Sequence, residues 1–237
     1  MNDYPILYTI RPGDTLYNLA MQYGTTVQEI INTNLALDPY NLRVGQQIYI
    51  YPRRDNTGYS ANQVNLLTQM NLVWMEHILW TRLLLISIAE DLKDLDATQA
   101  RLLQNPKDIA NIFRKYYGNA VASTIEKLLT EHLVIGKDLI VALKNNNQKL
   151  ASELNTKWYK NADDMADAFS SINPFYPKET VRQMLYEHLR LTTQEVSARL
   201  KKDYAADIRA YDMVQKEILE MSKFFVNGIV KQFPNLF

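Results

Sequence analysis

The sequence has no cysteine. Disulfides, thiolate metal sites and cysteine nucleophiles are therefore excluded. Glycine and proline are sparse, at 7 and 8 in 237 residues, and beyond residue 60 they become rare. No glycine-rich phosphate loop occurs, nor Gly-x-Ser-x-Gly, nor His-Glu-x-x-His, so the commonest nucleotide, esterase and zinc-peptidase signatures are missing. Charge of either sign is not in excess, with 26 Lys and Arg against 26 Asp and Glu. The balance also holds locally: Asp3, Asp14, Glu29 and Asp38 face Arg11, Arg43, Arg53 and Arg54 in the first 54 residues. With no basic stripe, nucleic acid is not an expected partner. The longest apolar stretches, such as Leu83 to Ile88, are far shorter than a bilayer requires, and no membrane span is expected. Residues 1–7 lack a basic start and an apolar run, so synthesis in the cytoplasm without a signal peptide is expected.

Nearly half of the residues are apolar or aromatic, which favours a folded chain over a disordered one. The first fifty residues are punctuated at regular points. Tyr8-Thr9-Ile10 alternates like a short strand, and Pro12-Gly13 breaks it. Asp14 suits the capping of a helix that runs to about Tyr23, and Gly24 sits where a helix ends in positive φ. Thr26 and Glu29 have the spacing of a capping box for a second short helix. Pro39 stops it, Gly45 turns the chain, and Gln47 to Ile50 alternates again. The expected order is strand, helix, helix, strand.

This order, with Pro-Gly-Asp-Thr-Leu, Ala-x-x-Tyr-Gly-Thr-Thr, Ile-x-x-x-Asn and Leu-x-Val-Gly-Gln-x-Ile-x-Ile in succession, closely resembles a LysM domain over about residues 8–52. That family is a small βααβ module that binds N-acetylglucosamine-containing glycans. The resemblance implies a shallow groove between the loop after the first strand and the loop after the second helix. On this chain the matching positions are Gly13, Asp14, Thr15 and Leu16 on one lip. Asn34, Ala36, Leu37, Asp38 and Pro39 lie near the other. Glycine at 13 permits close backbone approach, and a helix start leaves amides free. The plainer reading is that Asp14 and Thr15 only cap, and that the groove is an inactive relic. The absence of cysteine also removes the cysteine peptidase that often accompanies such modules in wall hydrolases.

The domain plan is residues 1–52 for this module, 53–61 for a polar linker and 62–237 for an all-α bundle. In the last part apolar residues recur at three and four, as in Leu66, Met70, Val73, Trp74, Leu79 and Leu83. It repeats itself. Asp108-Ile-Ala-Asn-Ile-Phe113 matches Asp164-Met-Ala-Asp-Ala-Phe169, and Glu220-Met-Ser-Lys-Phe-Phe225 follows 56 residues later. Glu76-His77, Glu131-His132 and Glu187-His188 stand 55 and 56 apart and hold all three histidines of the chain. Two markers with one period point to three helical hairpins of about 56 residues, hence about six helices.

Each repeated motif has a sharp and a plain reading. The Glu-His pairs invite a metal site built from Glu76, His77, Glu131, His132, Glu187 and His188. Adjacent side chains diverge by about 100° on a helix, so one pair cannot chelate comfortably. The favoured reading is three buried, hydrogen-bonded histidines inherited by duplication, with no metal and no cofactor. Buried histidines also invite a pH-sensitive role. Asp108, Asp164 and Glu220 are read as solvated or bonded to a neighbour, and a catalytic carboxylate pair is the lesser alternative. Trp74, Trp80, Trp158, Tyr116-Tyr117, Tyr159 and Phe175-Tyr176 are read as packing ahead of a sugar platform.

The expectation is a non-enzymatic structural protein that binds peptidoglycan or a chitin-like glycan. Its helical part would assemble with coat or wall proteins, or with itself. The first segment is similar to those in spore-coat assembly proteins of Firmicutes, which implies a setting in spore surface layers or the cell wall. The alternatives are a wall-modifying enzyme anchored through the module and a phage-type tail or baseplate component.

Overall fold

The computed structural model describes residues 5–23, 25, 27–34, 37–38, 41–51 and 60–237, with the backbone alone at Tyr17, Met21 and Gln28. The chain divides into two compact units, Met1–Ser60 and Ala61–Phe237. The residues expected as linker lie, up to 59, outside the described residues.

In the first unit, strand β1 (Ile6–Thr9) pairs antiparallel with β2 (Gln47–Ile50), with Ile6 opposite Ile50 and Thr9 opposite Gln47. Helices α1 (Leu16–Gln22) and α2 (Val27–Thr33) lie between them in sequence. The period of two sorts β2 cleanly: Ile48 and Ile50 are buried, while Gln47 and Tyr49 are exposed. Ile10, Leu16, Leu19, Ile30, Leu37, Ile48 and Ile50 close into one small core. A module this small has few apolar residues to spare, so truncating one of them, such as Ile30, would cost about 2–5 kcal/mol.

Two details of the capping differ from expectation. Thr15, not Asp14, caps α1: its hydroxyl accepts from the amide of Asn18 at 3.1 Å. Asp14 instead closes the preceding turn, accepting from the amide of Arg11 at 2.7 Å and from the Tyr8 hydroxyl at 2.9 Å. Gly24 and Thr26 lie outside the described residues. Glu29 accepts from the hydroxyl of Thr25 at 2.9 Å.

The second unit is helical throughout. It comprises α3 (Ala61–Ala89), α4 (Leu95–Leu102), α5 (Asn105–Lys144), α6 (Gln148–Ile172), α7 (Lys178–Leu200) and α8 (Tyr204–Gln232). A short 3-10 turn, Pro234–Leu236, follows. Helix α5 is kinked at Gly118, where φ is 80° and ψ is −179°, a conformation that glycine alone adopts without strain. The kink splits α5 between two hairpins. The first is α3 with α4 and the front of α5, the second is the back of α5 with α6, and the third is α7 with α8. In the first hairpin the returning helix is interrupted before Asn105-Pro106, because proline in the first turn of α5 has no amide to continue a preceding helix.

The hairpin turns are copies of one another. Asp91, Asn146 and Lys202 take left-handed φ of 53°, 54° and 61°. At each turn the next amide reaches back to close the helix: Leu92 to Ser87, Asn147 to Ala142 and Asp203 to Ala198, all near 3 Å. This is the double-bonded C-terminal cap that satisfies the last carbonyls of a helix. Asn147 and Asp203 then cap the returning helices, accepting from Leu150 and Ala206.

Packing follows the repeat. Phe113, Phe169 and Phe225 are fully buried and meet, with ring centroids 4.6–5.8 Å apart. Ala110, Ala166 and Ser222 sit beside them without measurable exposure. Small residues there let the helices approach closely enough for the phenylalanines to touch. Helix α3 is long and apolar enough by length and composition to cross a membrane, a feature that short apolar runs had not suggested. Its inner face, including Met70, Trp74, Ile78 and Leu85, is nonetheless packed against neighbouring helices of the bundle.

Candidate functional site

The expected glycan positions fall into three groups. Gly13 holds φ of 86°, with nothing within 4 Å of where a side chain would begin. Asp14 and Thr15 are engaged in the turn and cap already described, so their side chains shape the loop between β1 and α1. Leu16 and Leu37 are only 4% and 8% exposed and belong to the core. Their side chains pack into the core of the unit. Asn34 is likewise structural. Its amide donates to the carbonyls of Tyr49 and Ile30 at 2.7 and 2.8 Å, and its Oδ1 accepts from the amide of Tyr49 at 2.8 Å. The pattern mimics a strand neighbour and stitches the end of α2 to the edge of β2. Asp38 is exposed. Ala36 and Pro39 lie outside the described residues.

The repeated histidines come together in the helical unit. His77, His132 and His188 are 3–5% exposed, and their ring centroids are 5.8–6.4 Å apart. One ring nitrogen from each lies within 4.8 Å of the other two. Their sequence neighbours do not join them. Glu76 pairs with Arg101 at 3.1 Å, Glu131 with Lys127 at 3.8 Å and Glu187 with Arg190 at 2.6 Å. The three carboxylates thus leave the cluster, as the 100° step between adjacent helical residues requires.

What holds each histidine was not read from the sequence. The Nδ1 atoms of His77, His132 and His188 bond Asn105, Asn161 and Glu217 at 3.0, 3.2 and 2.9 Å. These partners recur every 56 residues on the returning helices. The same period, applied to polar residues as well as to His and Phe, would have found them. The asparagine orientations are fixed by their amides, which donate to the carbonyls of Val73 at 2.7 Å and Leu128 at 3.1 Å. Each Oδ1 must then accept, so each Nδ1 carries the proton. Burial holds His77 well below the ordinary imidazole range, at about 3, with the neighbouring His188 adding to the effect. Burial, with His77 and His188, also pushes His132 well down. Both rings are therefore neutral at physiological pH.

The cluster borders a cavity of about 30 Å³ that Thr81, Lys137 and Thr192 also line. The same unit holds a partly buried group of charges around Glu195 and Asp207. Arg82 bridges Glu195 at 2.5 Å and Asp207 at 2.7 Å, and Arg199 joins Asp207 to Glu90. Burial pushes the carboxyl of Glu195 up to about 7, against the pull of Arg82.

The remaining motifs have plain roles. Asp164 pairs with Lys160, and Glu220 pairs with Lys223 at 2.8 Å, so these two repeated acidic positions are engaged by lysines of their own helices. Trp74 and Trp158 are buried, and Trp80 lies under Arg101 at 5.0 Å. None of the three forms an open platform.

Among known families, the LysM domain model matches residues 8–50. No curated protein and no solved structure matches the chain. The two short strands, the two helices between them and the family match agree. Residues 8–50 are a LysM domain, a module for peptidoglycan-type glycans, and an all-helical unit follows it.

Proposed function

We propose that the protein is a non-enzymatic wall-glycan-binding protein whose helical unit serves assembly. The match of residues 8–50 to the LysM family, on a fold of the right order, carries the reading. The loop of Gly13 to Thr15 and exposed Asp38 are its candidate contacts. The sugar would be held through backbone groups of these loops, since the side chains of Leu16, Asn34 and Leu37 are already committed. One module makes few contacts, so useful affinity depends on several copies acting together.

The assembly role is supported by the outer face of α3. Val64, Leu72, Leu79 and Leu83 are 36–58% exposed, and their spacing places them in one stripe along the helix. Such a stripe suits a protein partner or a second copy of the chain. The setting proposed is a bacterial wall or the surface layers of a spore, on the resemblance of the first segment.

Co-sedimentation of the full chain with insoluble peptidoglycan and with chitin tests the reading. The protein is expected to pellet with at least one of them and to be released by soluble N-acetylglucosamine oligomers. A chain that stays in solution with both is not a wall-glycan binder.

One observation favours a second reading. The histidine cluster beside a cavity would suit a wall-modifying enzyme with LysM as its anchor. Loss of turbidity of a peptidoglycan suspension would favour that reading over the first.

A further inference from the structure

We propose that His77, His132 and His188 form a three-nitrogen site for a divalent metal ion of zinc type, in the core of the helical unit. The inference stands apart from the glycan reading.

Geometry is the first ground. The three imidazoles come from the first helix of each hairpin and converge with one nitrogen apiece inside 4.8 Å. A tetrahedral zinc with bonds of about 2.1 Å sets its nitrogens roughly 3.4 Å apart. Rotamer adjustments of about 1 Å would close the site.

The second ground is the hydrogen-bond pattern. Each Nδ1 proton is donated outward, to Asn105, Asn161 or Glu217. The nitrogen left to each ring is Nε2, a lone-pair donor on neutral His77 and His132, and none of the three makes a hydrogen bond among the described residues. Metal-bound histidines almost always donate their other N–H to a carbonyl or carboxylate, which fixes tautomer and orientation. Here three such partners repeat at one spacing. Three histidines needed only to fill a core would have no reason to bring one ring nitrogen apiece within 4.8 Å of one another.

The third ground is charge. Glu217 bonds His188 through one oxygen, and its other oxygen, Oε1, is buried without a partner. A dication on His188 would supply the positive charge that this carboxylate lacks. An all-imidazole donor set without thiolate suits zinc, cobalt, nickel or copper, and does not suit magnesium or calcium. Three protein ligands leave a fourth position, and the adjoining cavity of about 30 Å³ has room for one water there. Lys137, which also lines the cavity, is paired with Asp138 at 2.9 Å.

The test uses the full chain, stripped with a chelator and titrated with Zn²⁺ and with Co²⁺. One equivalent of either is expected to bind, and the cobalt form should show the intense visible absorption of a four-coordinate centre. Asn161→Ala should weaken binding by about 10- to 100-fold, and His132→Gln should abolish it. The triple variant Glu76→Gln, Glu131→Gln, Glu187→Gln should bind as the unaltered chain does. Proton NMR of the unaltered cobalt form decides the matter even where His132→Gln does not fold. Three solvent-exchangeable, strongly shifted imidazole N–H signals are expected. Absence of stoichiometric binding, fewer than three such signals, binding that survives in folded His132→Gln, or loss of binding in the triple glutamate variant would each overturn the proposal.

Discussion

His132 donates its Nδ1 proton to Oδ1 of Asn161 at 3.2 Å, and the amide of Asn161 donates in turn to the carbonyl of Leu128 at 3.1 Å. One asparagine thus satisfies two groups of a neighbouring helix in the core. Asn161→Ala would leave the Nδ1–H of His132 unpaired and remove one of two bonds from the Leu128 carbonyl, which keeps its bond within α5. Because an orphaned buried group costs about 1–3 kcal/mol, the variant should be destabilised by roughly that amount in urea denaturation. Glu131→Gln, next to the histidine but exposed, should change stability by less than about 0.5 kcal/mol. Equal effects would mean that the asparagine is not the strut described.

Gly228 faces the ring of Tyr176. A Cβ there would lie 2.0 Å from the ring carbon Cε1, and the ring is pinned by its hydroxyl bond to the carbonyl of Phe225 at 2.5 Å. Gly228→Ala should therefore cost about 1–3 kcal/mol or more. Tyr176→Val should cost less in the Gly228→Ala background than in the unaltered chain, since the added methyl then fills part of the space. A double-mutant cycle in denaturant measures the coupling; additive effects would contradict the contact.

Glu195 gives a pH signature. Its folded pKa is raised from 4.5 to about 7. Between those values the folded chain holds a proton that the unfolded chain has released. Its contribution is thus fully present below about pH 4.5 and is lost as pH rises to 7. Neutral His77 and His132 act with the opposite sign, because the unfolded chain gains protons there below about pH 6.5. Their effect cancels when Glu195→Gln is compared with the unaltered chain. From pH 5 to pH 8 the variant should gain roughly 2–3 kcal/mol relative to the unaltered chain. A gap that does not change with pH would show that Glu195 is ionised throughout.

The outer stripe of α3 predicts a change of association. Leu72 and Leu79 are 58% and 45% exposed. If they meet a second copy, Leu72→Glu with Leu79→Glu should shift the chain to monomer in analytical ultracentrifugation without loss of helical signal. A chain already monomeric at high concentration before substitution would assign the stripe to another partner or to none.

The first unit was legible in outline because its turns are written locally. Pro12-Gly13 and Gly45 encode the loops, and the period of two encodes β2. The uses of its side chains were less legible. Leu16, Asn34 and Leu37 stand in loops or at helix ends, yet the small core claims both leucines and backbone hydrogen bonds claim Asn34. The helical unit showed its period through His and Phe, because duplicated positions in a bundle keep duplicated packing. Asn105, Asn161 and Glu217 are not legible as partners because they act on histidines 28–29 residues away, across a helix pair. The break before Asn105-Pro106 and the kink at Gly118 are carried by proline and glycine, the usual breakers, but a helical period of apolar residues runs through both.

The most direct measurement separates the two units. Residues 1–60 and residues 61–237, each confirmed as folded by circular dichroism, are incubated with insoluble peptidoglycan and chitin and pelleted. The account predicts that the first piece pellets with a glycan and the second remains in solution. A folded first piece that ignores both polymers, or a second piece that carries the binding, would contradict it.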